Sequence, residues 1–362
     1  MTRTVVRRAP GKLFVVGEYA VLEAGSPAVL AAVDREVTVS VTPADDDLVI
    51  VSDLADQPVR LSRTANGFLA DVGPRQVVAA VEVVAALLTE WDLPVPRVQL
   101  SIHSGLHDDG VKFGLGSSGA VTVATIGAML AYCGVSLRAE ERFRLALLAT
   151  ALLDARASGG DLAASTWGGW ILYRAPDRTA VLDLARRKGL REALQAPWPG
   201  FEVRRLPPPR ELTVAVGWTG QPASTSDKLS SGTVQNWRGS AAHREFVRRS
   251  SACVDAVADA LEHGNDLLVI KEIRRARQLL AHADSQGNLG IFTHGLTALC
   301  DAAEAVGGAA KPSGAGGGDC GIALLERDPR AVNRLRNRWL TAGVVLLPIH
   351  TAESERTHAG DQ

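Results

Sequence analysis

Three glycine-bearing loops, each leading into an apolar helix or strand, punctuate this chain at residues 9–19, 112–120 and 311–320. Glycine costs backbone entropy, so it is kept where the chain must turn unusually or let a ligand approach closely. The second loop, Lys112-Phe-Gly-Leu-Gly-Ser-Ser-Gly-Ala120, opens a strongly apolar helix, roughly Ala120 to Tyr132. N–H groups point outward at such a helix start, and the helix dipole favours negative charge there. Ser117 and Ser118 add hydroxyls suited to phosphate oxygens or to Mg²⁺. An ordinary serine N-cap after turn glycines is the other reading of this segment. The third loop, Lys311-Pro-Ser-Gly-Ala-Gly-Gly-Gly-Asp-Cys320, packs four glycines into 314–318 between Pro312 and an apolar strand. It reads either as a ligand-closing loop or as a flexible connection. In the first loop, Lys12 follows a tight Ala9-Pro10-Gly11-Lys12 turn and precedes an apolar strand, which would hold its ammonium at a cleft.

Several function classes are excluded. Gly114, Gly116 and Gly119 satisfy G-x-G-x-x-G, but a dinucleotide fold needs a strand ending at the first glycine, and ten residues separate it from His103. No Walker A loop occurs, nor the HRD and DFG signatures of protein kinases. A net charge of −1 argues against binding nucleic acid by neutralising many phosphates. No apolar run approaches the roughly 18 residues of a membrane span. Lys12 and Glu18 break the N-terminal apolar stretch, which with its arginines imitates a secretion signal. Cys133, Cys253, Cys300 and Cys320 are scattered without metal-ligand spacing, so reduced buried thiols in a cytoplasmic protein are expected. Within the basic residues, only six are lysine against 33 arginine. Lys12, Lys112 and Lys311 fall in the three loops, which suggests that compact point charges are wanted there.

At 362 residues the chain exceeds what one core usually supports, and two domains are expected, 1–205 and 206–362. The prolines at 197, 199, 207, 208 and 209 mark the connection. The first half mixes strands at 4–8, 13–16, 29–41, 97–103 and 169–173 with helices at 75–91, 120–132 and 139–156. The second half reads as a strand at 212–216, helices over 239–263, 266–284 and 291–306, then strand 320–325, helix 329–341 and strand 344–347. Three further groups are noted. His103, His107, Asp108 and Asp109 form either a metal cluster or a solvated loop. Trp167, Trp170, Trp218 and Trp237 are core residues or include an adenine-stacking ring. Arg274, Arg275 and Arg277 read as a solvated helix face.

Taken together, in order and at suitable separations, residues 9–19, 112–121 and 311–321 resemble the three motifs of the GHMP kinase superfamily, small-molecule kinases of sugars, homoserine and mevalonate. The resemblance implies an α+β fold of two domains, the first like ribosomal protein S5 and the second ferredoxin-like. It is strongest to the branch that phosphorylates 5-phosphomevalonate with ATP on the mevalonate route to isoprenoids. Lys112 before Gly-Leu-Gly-Ser-Ser and the segment Gly217–Ser226 both look like that branch. Ser158-Gly159-Gly160-Asp161 resembles the family's Ser-Gly-x-Asp segment, whose aspartate is the proposed catalytic acid/base.

The resemblance further implies catalytic roles for Lys12 and Asp161. It places ATP phosphates on Lys112, Gly114, Leu115, Gly116, Ser117, Ser118 and Gly119, and Mg²⁺ on Ser117 and Ser118. Acceptor contacts fall to Glu18, Tyr19, Ser158, Ser224, Thr225, Ser226, Ser313, Gly314, Ala315, Gly316 and Gly317. Glu18 could instead pair with Lys12 or stabilise the turn. A soluble monomer or homodimer is expected, with neither nucleic acid nor membrane as partner. A mevalonate or sugar kinase, and a homologue that binds ligand without catalysis, are the competing readings.

Overall fold

The computed structural model describes residues 4–45, 48–53, 55, 57–64, 67–69, 73–108, 111–222 and 232–352. Its first sheet grows from the β-branched runs near the N-terminus. Val5–Val16 (β1) pairs antiparallel with the long strand Pro27–Pro43 (β2), whose alternating Val37, Val39 and Val41 are buried. Leu48–Ser52 (β3), Val59–Thr64 (β4), Gly67–Leu69 (β5) and Val98–Ser104 (β6) continue the sheet, and His107–Asp108 (β7) and Val111–Lys112 (β8) form a separate small hairpin. Trp170–Arg174 (β9) and Glu202–Leu206 (β10) complete eight strands in the order β10-β9-β2-β6-β3-β4-β5, with β1 on β2. Helices Arg75–Glu90 (α1), Ser117–Tyr132 (α2), Ala139–Leu153 (α3) and Gly160–Trp167 (α4) pack together, α2 lying on β1 and β2. Arg178–Lys188 (α5) and Leu190–Gln195 (α6) close the outer side.

The second unit runs Leu212–Trp218 (β11), Gly232–Trp237 (α7), Ala241–His263 (α8), Asp266–Gly287 (α9), His294–Glu304 (α10), Ala309–Pro312 (β12), Cys320–Glu326 (β13), Pro329–Thr341 (α11) and Val345–Leu347 (β14). Its four strands are antiparallel in the order β12-β13-β11-β14, the ferredoxin-like arrangement. Local chemistry agrees with the helix starts. Asp328 caps α11 by accepting the N–H groups of Arg330 and Ala331, and Pro329 occupies the first turn, where its missing N–H is no loss.

One expectation is corrected, and two gain detail. The tight turn at 9–12 is a bulge inside a continuous β1, with the register slipping between Pro10 and Lys12. Gly11 is there for close approach: a Cβ would sit 2.6 Å from Leu106 Cδ2 and 2.8 Å from the Leu115 carbonyl oxygen. The proline-rich connection contains β10, which belongs to the first sheet, and the last described residues return there through the Ala352 N–H on the Ala32 carbonyl, 2.8 Å. The arginine face of α9 is tied down: Arg274 donates to the carbonyls of Gly307 and Gly308, Arg275 pairs with Glu272, and Arg277 pairs with Asp301 and Glu304. The strands between 48 and 69 escaped the sequence reading, because such short strands carry too few residues for a periodic signal.

The two units are sewn together under the glycine loops. The Ser313 hydroxyl accepts the Phe14 N–H at 2.9 Å and donates to the Phe14 carbonyl at 3.1 Å. Beside it the Lys311 ammonium, fully buried, pairs with the buried Glu18 carboxylate and donates to the Pro312 carbonyl at 2.7 Å. Removing one member of a buried pair strands the other charge, at about 3–5 kcal/mol. Lys311→Met is therefore expected to lower unfolding free energy in urea by about that much. The double variant Glu18→Gln/Lys311→Met should lose clearly less, and equal losses would refute the pairing.

Candidate active site

Lys12 stands where the bulge in β1 meets the second loop. Its own N–H donates to the Leu115 carbonyl at 2.8 Å, and its Nζ donates to the Gly114 carbonyl at 3.2 Å. Only 7% of the residue remains accessible, which for a lysine requires counter-charge nearby. Burial pulls its ammonium below the usual lysine range, while Asp161, Asp319 and Glu18 pull it back up. Gly114 and Gly116 adopt φ values of 76° and 77°, the left-handed region open to glycine, and a Cβ on Gly116 would strike the Lys12 side chain at 2.9 Å. Two properties of glycine are thus used at one position.

The chain enters α2 at Ser117, directly after Gly116, whose backbone lies against the Lys12 side chain. Half-buried Ser117 and exposed Ser118 and Lys112 form the polar end of a cleft of about 720 Å³, whose apolar walls include Pro58, Val59, Val77, Ile102 and Val121. A polar, cationic end beside an apolar slot suits a phosphorylated nucleoside. Leu115 contributes only its backbone, its side chain being buried in the core.

Asp161 is the second residue of α4, which packs on β1 and α2. Its Oδ1 accepts the Leu162 N–H at 3.0 Å. Burial pushes the carboxyl above the usual aspartate range, opposed first by Lys12. Gly119 leaves room for it: a Cβ there would lie 2.6 Å from Asp161 Oδ2. Lys12, Asp161 and the α2 start thus converge, although the first two stand 149 positions apart in the sequence.

The remaining candidates separate into groups. Gly314 approaches Lys12, with a notional Cβ 3.7 Å from its Nζ. Gly316 and Gly317 are pinned on Ile291, Gly317 donating to its carbonyl at 2.8 Å. The Tyr19 hydroxyl donates to the Ala315 carbonyl at 2.7 Å, holding the third loop against the first. Burial, Asp284 and Glu18 all raise the pKa of that phenol. Ser158 accepts the Gly160 N–H at 3.3 Å and lies at the entrance to α4. Glu18 pairs with Lys311 instead of Lys12, and Ser313 is engaged on β1, so both brace the loops from beneath. Ser224, Thr225 and Ser226 lie outside the described residues.

None of the four tryptophans is among the residues of the 720 Å³ cleft; Trp218 packs on Phe113 and Trp237 on Tyr19. His103 pairs with Asp53 at 2.7 Å, and no cluster of three metal-ligating side chains occurs among the described residues. The sequence reading missed Asp319 and Cys320. The Cys320 thiol donates to the Phe113 carbonyl at 2.9 Å, and Asp319 faces Gly114. An acidic residue ending a glycine run was the available signal for Asp319.

A two-unit α+β scaffold in which a buried lysine, an aspartate and a helix start converge beside a glycine-rich loop has the make-up of a small-molecule phosphotransferase. The chain belongs to the GHMP kinases. The family's N-terminal domain matches residues 76–169 and its C-terminal domain residues 257–344. The chain is 57% identical to the phosphomevalonate kinase of Streptomyces sp. (strain CL190), over 97% of this chain and 98% of that protein. It is similar in structure to Streptococcus pneumoniae phosphomevalonate kinase in complex with phosphomevalonate and AMPPNP, with a TM-score of 0.85 and 29% identity over 96% of this chain and all of that one. A mevalonate kinase of Pyrococcus furiosus is 28% identical over 91% of each chain.

Gly119→Ala tests the convergence. Alanine suits a helix better than glycine, by about 1 kcal/mol, so stability should hold or rise. The new methyl would displace Asp161, and turnover is expected to fall by about two orders of magnitude, the effect of misplacing a reacting group by an ångström. Wild-type turnover in a stable Gly119→Ala variant would refute the contact.

Proposed function

We propose that this chain transfers the γ-phosphoryl group of ATP to 5-phosphomevalonate, giving 5-diphosphomevalonate and ADP on the mevalonate route to isoprenoids. The observation that carries the reading is Lys12, a buried ammonium held between the α2 start and Asp161 under the third loop. The near-complete match to a phosphomevalonate kinase supports the choice of acceptor.

The chemistry fits that acceptor. A phosphate monoester has a second pKa of about 6, so its attacking oxygen is already mostly ionised at neutral pH. The difficulty is repulsion between two polyanions, about 4 kcal/mol per unit-charge pair at 4 Å with an effective dielectric of 20. Lys12 offsets that charge at the meeting point, where low water content strengthens its field. Asp161 holds the ammonium in place and keeps it protonated, a task distinct from general-base catalysis. The α2 N–H groups, Ser117, Ser118 and Lys112 receive the nucleotide phosphates, and the apolar cleft receives the nucleoside. Gly314, Ala315, Gly316 and Gly317, held by Tyr19 and Ile291, close over the acceptor.

The serine hydroxyls are hard oxygen donors that fit magnesium, which typically takes few protein ligands and several phosphate or water oxygens. Ser117 and Ser118 would hold it, and bound there it would neutralise phosphate charge.

A coupled ADP-release assay with mevalonate, 5-phosphomevalonate and galactose should give turnover with the phosphorylated acceptor alone. Turnover with mevalonate but not its phosphate would overturn the reading, as would binding without ADP release. Lys12→Ala should lower kcat by about 10²–10³, as loss of a preorganised charge contact does. Because Asp161 is the largest influence keeping Lys12 charged, Asp161→Asn should move the alkaline limb of the kcat–pH profile to lower pH. An unmoved limb would remove Asp161 from that role.

A further inference from the structure

We propose that Asp319, carried by the second unit on the third loop, is a positioning residue that holds the Lys12 ammonium at the point of phosphoryl transfer. This deepens the kinase reading above and rests on it.

Gly114 is the hinge of the inference. Its carbonyl accepts the Lys12 Nζ at 3.2 Å, and its α-carbon lies against Asp319. A Cβ on Gly114 would fall 2.6 Å from Asp319 Cβ, Cγ and Oδ2, so the whole carboxylate head sits on that glycine. Lys12 and Asp319, one from each unit, therefore both touch Gly114. Asp319 is fixed there by its backbone: its N–H donates to the Gln221 carbonyl at 2.6 Å, and its carbonyl accepts the Thr219 N–H at 3.0 Å and the Thr219 hydroxyl at 3.1 Å.

Asp319 also has φ of 54°, continuing a loop whose Gly314, Gly316, Gly317 and Gly318 all have positive φ. Glycine would meet that backbone requirement without strain, so a side chain there has a cost to offset. Its influence on Lys12 supplies the benefit. The groups acting on Lys12 are Asp161 on α4, Asp319 and the Cys320 thiol at the start of β13, and Glu18 after β1, the last already paired with Lys311. Asp161 and Asp319 thus supply counter-charge from the two separate units. Docking of the third loop and protonation of Lys12 become one event.

The test reads Lys12 directly. With only six lysines in the chain, ¹³C-labelled lysine gives a sparse NMR spectrum, and Lys12→Arg identifies the Lys12 resonance. Two variants are compared with wild type: Asp319→Asn, which keeps the shape and tolerates positive φ, and Asp319→Gly, which fits the backbone and removes the side chain. In both, the Lys12 titration midpoint should fall by about one unit, a tenfold change in its proton affinity. The alkaline limb of the kcat–pH profile should fall with it, at an ATP KM within about threefold of wild type. Asp319→Glu should restore part of both shifts. An unmoved Lys12 midpoint in the two variants overturns the proposal, as does a moved midpoint with an unmoved kcat–pH limb. Wild type that fails to turn over 5-phosphomevalonate would instead overturn the kinase reading, and the NMR titration would still decide whether Asp319 acts on Lys12.

Discussion

Keeping one ammonium charged where water is scarce is the constraint on which this site depends. A lysine that is 7% accessible would ordinarily shed its proton, and the fold opposes that with carboxylates delivered from separate elements. The glycines follow from the same need. Gly114, Gly116 and Gly119 stand where any side chain would collide with Asp319, Lys12 or Asp161. They are absences of side chains placed to let three charges approach one peptide loop.

A second buried charge pair supports the first without sharing its chemistry. Glu18 and Lys311 both lie in motif loops, yet they pair with each other below the site and fix the seam between the two units. Ser313 on Phe14, Tyr19 on Ala315 and Cys320 on Phe113 continue that seam upward toward Lys12. Each joins a residue of the first unit to one of the third loop or the strand after it. The first and third loops are consequently held in register by hydrogen bonds that cross between the two units, and the proposed role of Asp319 extends that series to Lys12.

Much of the scaffold was legible in the chain. Periodicity located α1, α2, α3, α8, α9 and α11 to within a few residues, since long amphipathic or apolar helices repeat their signal over several turns. It failed at β3, β4 and β5, which are short, and at Ala9–Lys12, where Pro and Gly suggested a turn but serve a bulge. The three-loop pattern singled out Lys12, the α2 start and Asp161, which the fold brings together. It also placed Glu18 and Ser313 against the acceptor, whereas the structure has one paired with Lys311 and the other bound to Phe14, because residue type and order do not reveal what a side chain meets across a seam.

The sequence by itself determined the two-unit α+β plan, the loops and the residue types able to handle phosphate, because local backbone preference and hydrophobic periodicity are written in consecutive residues. Only the tertiary structure decided what each motif lysine meets. Lys12 and Lys311 both lie in glycine-bearing motifs, and the resemblance that picked out Lys12 said nothing of the partner of Lys311. Folding sets one on the Gly114 carbonyl and the other in a dry pairing with Glu18. The physical reason is that a buried charge is specified by its partner, and those partners, Asp161 for Lys12 and Glu18 for Lys311, stand 149 and 293 positions away.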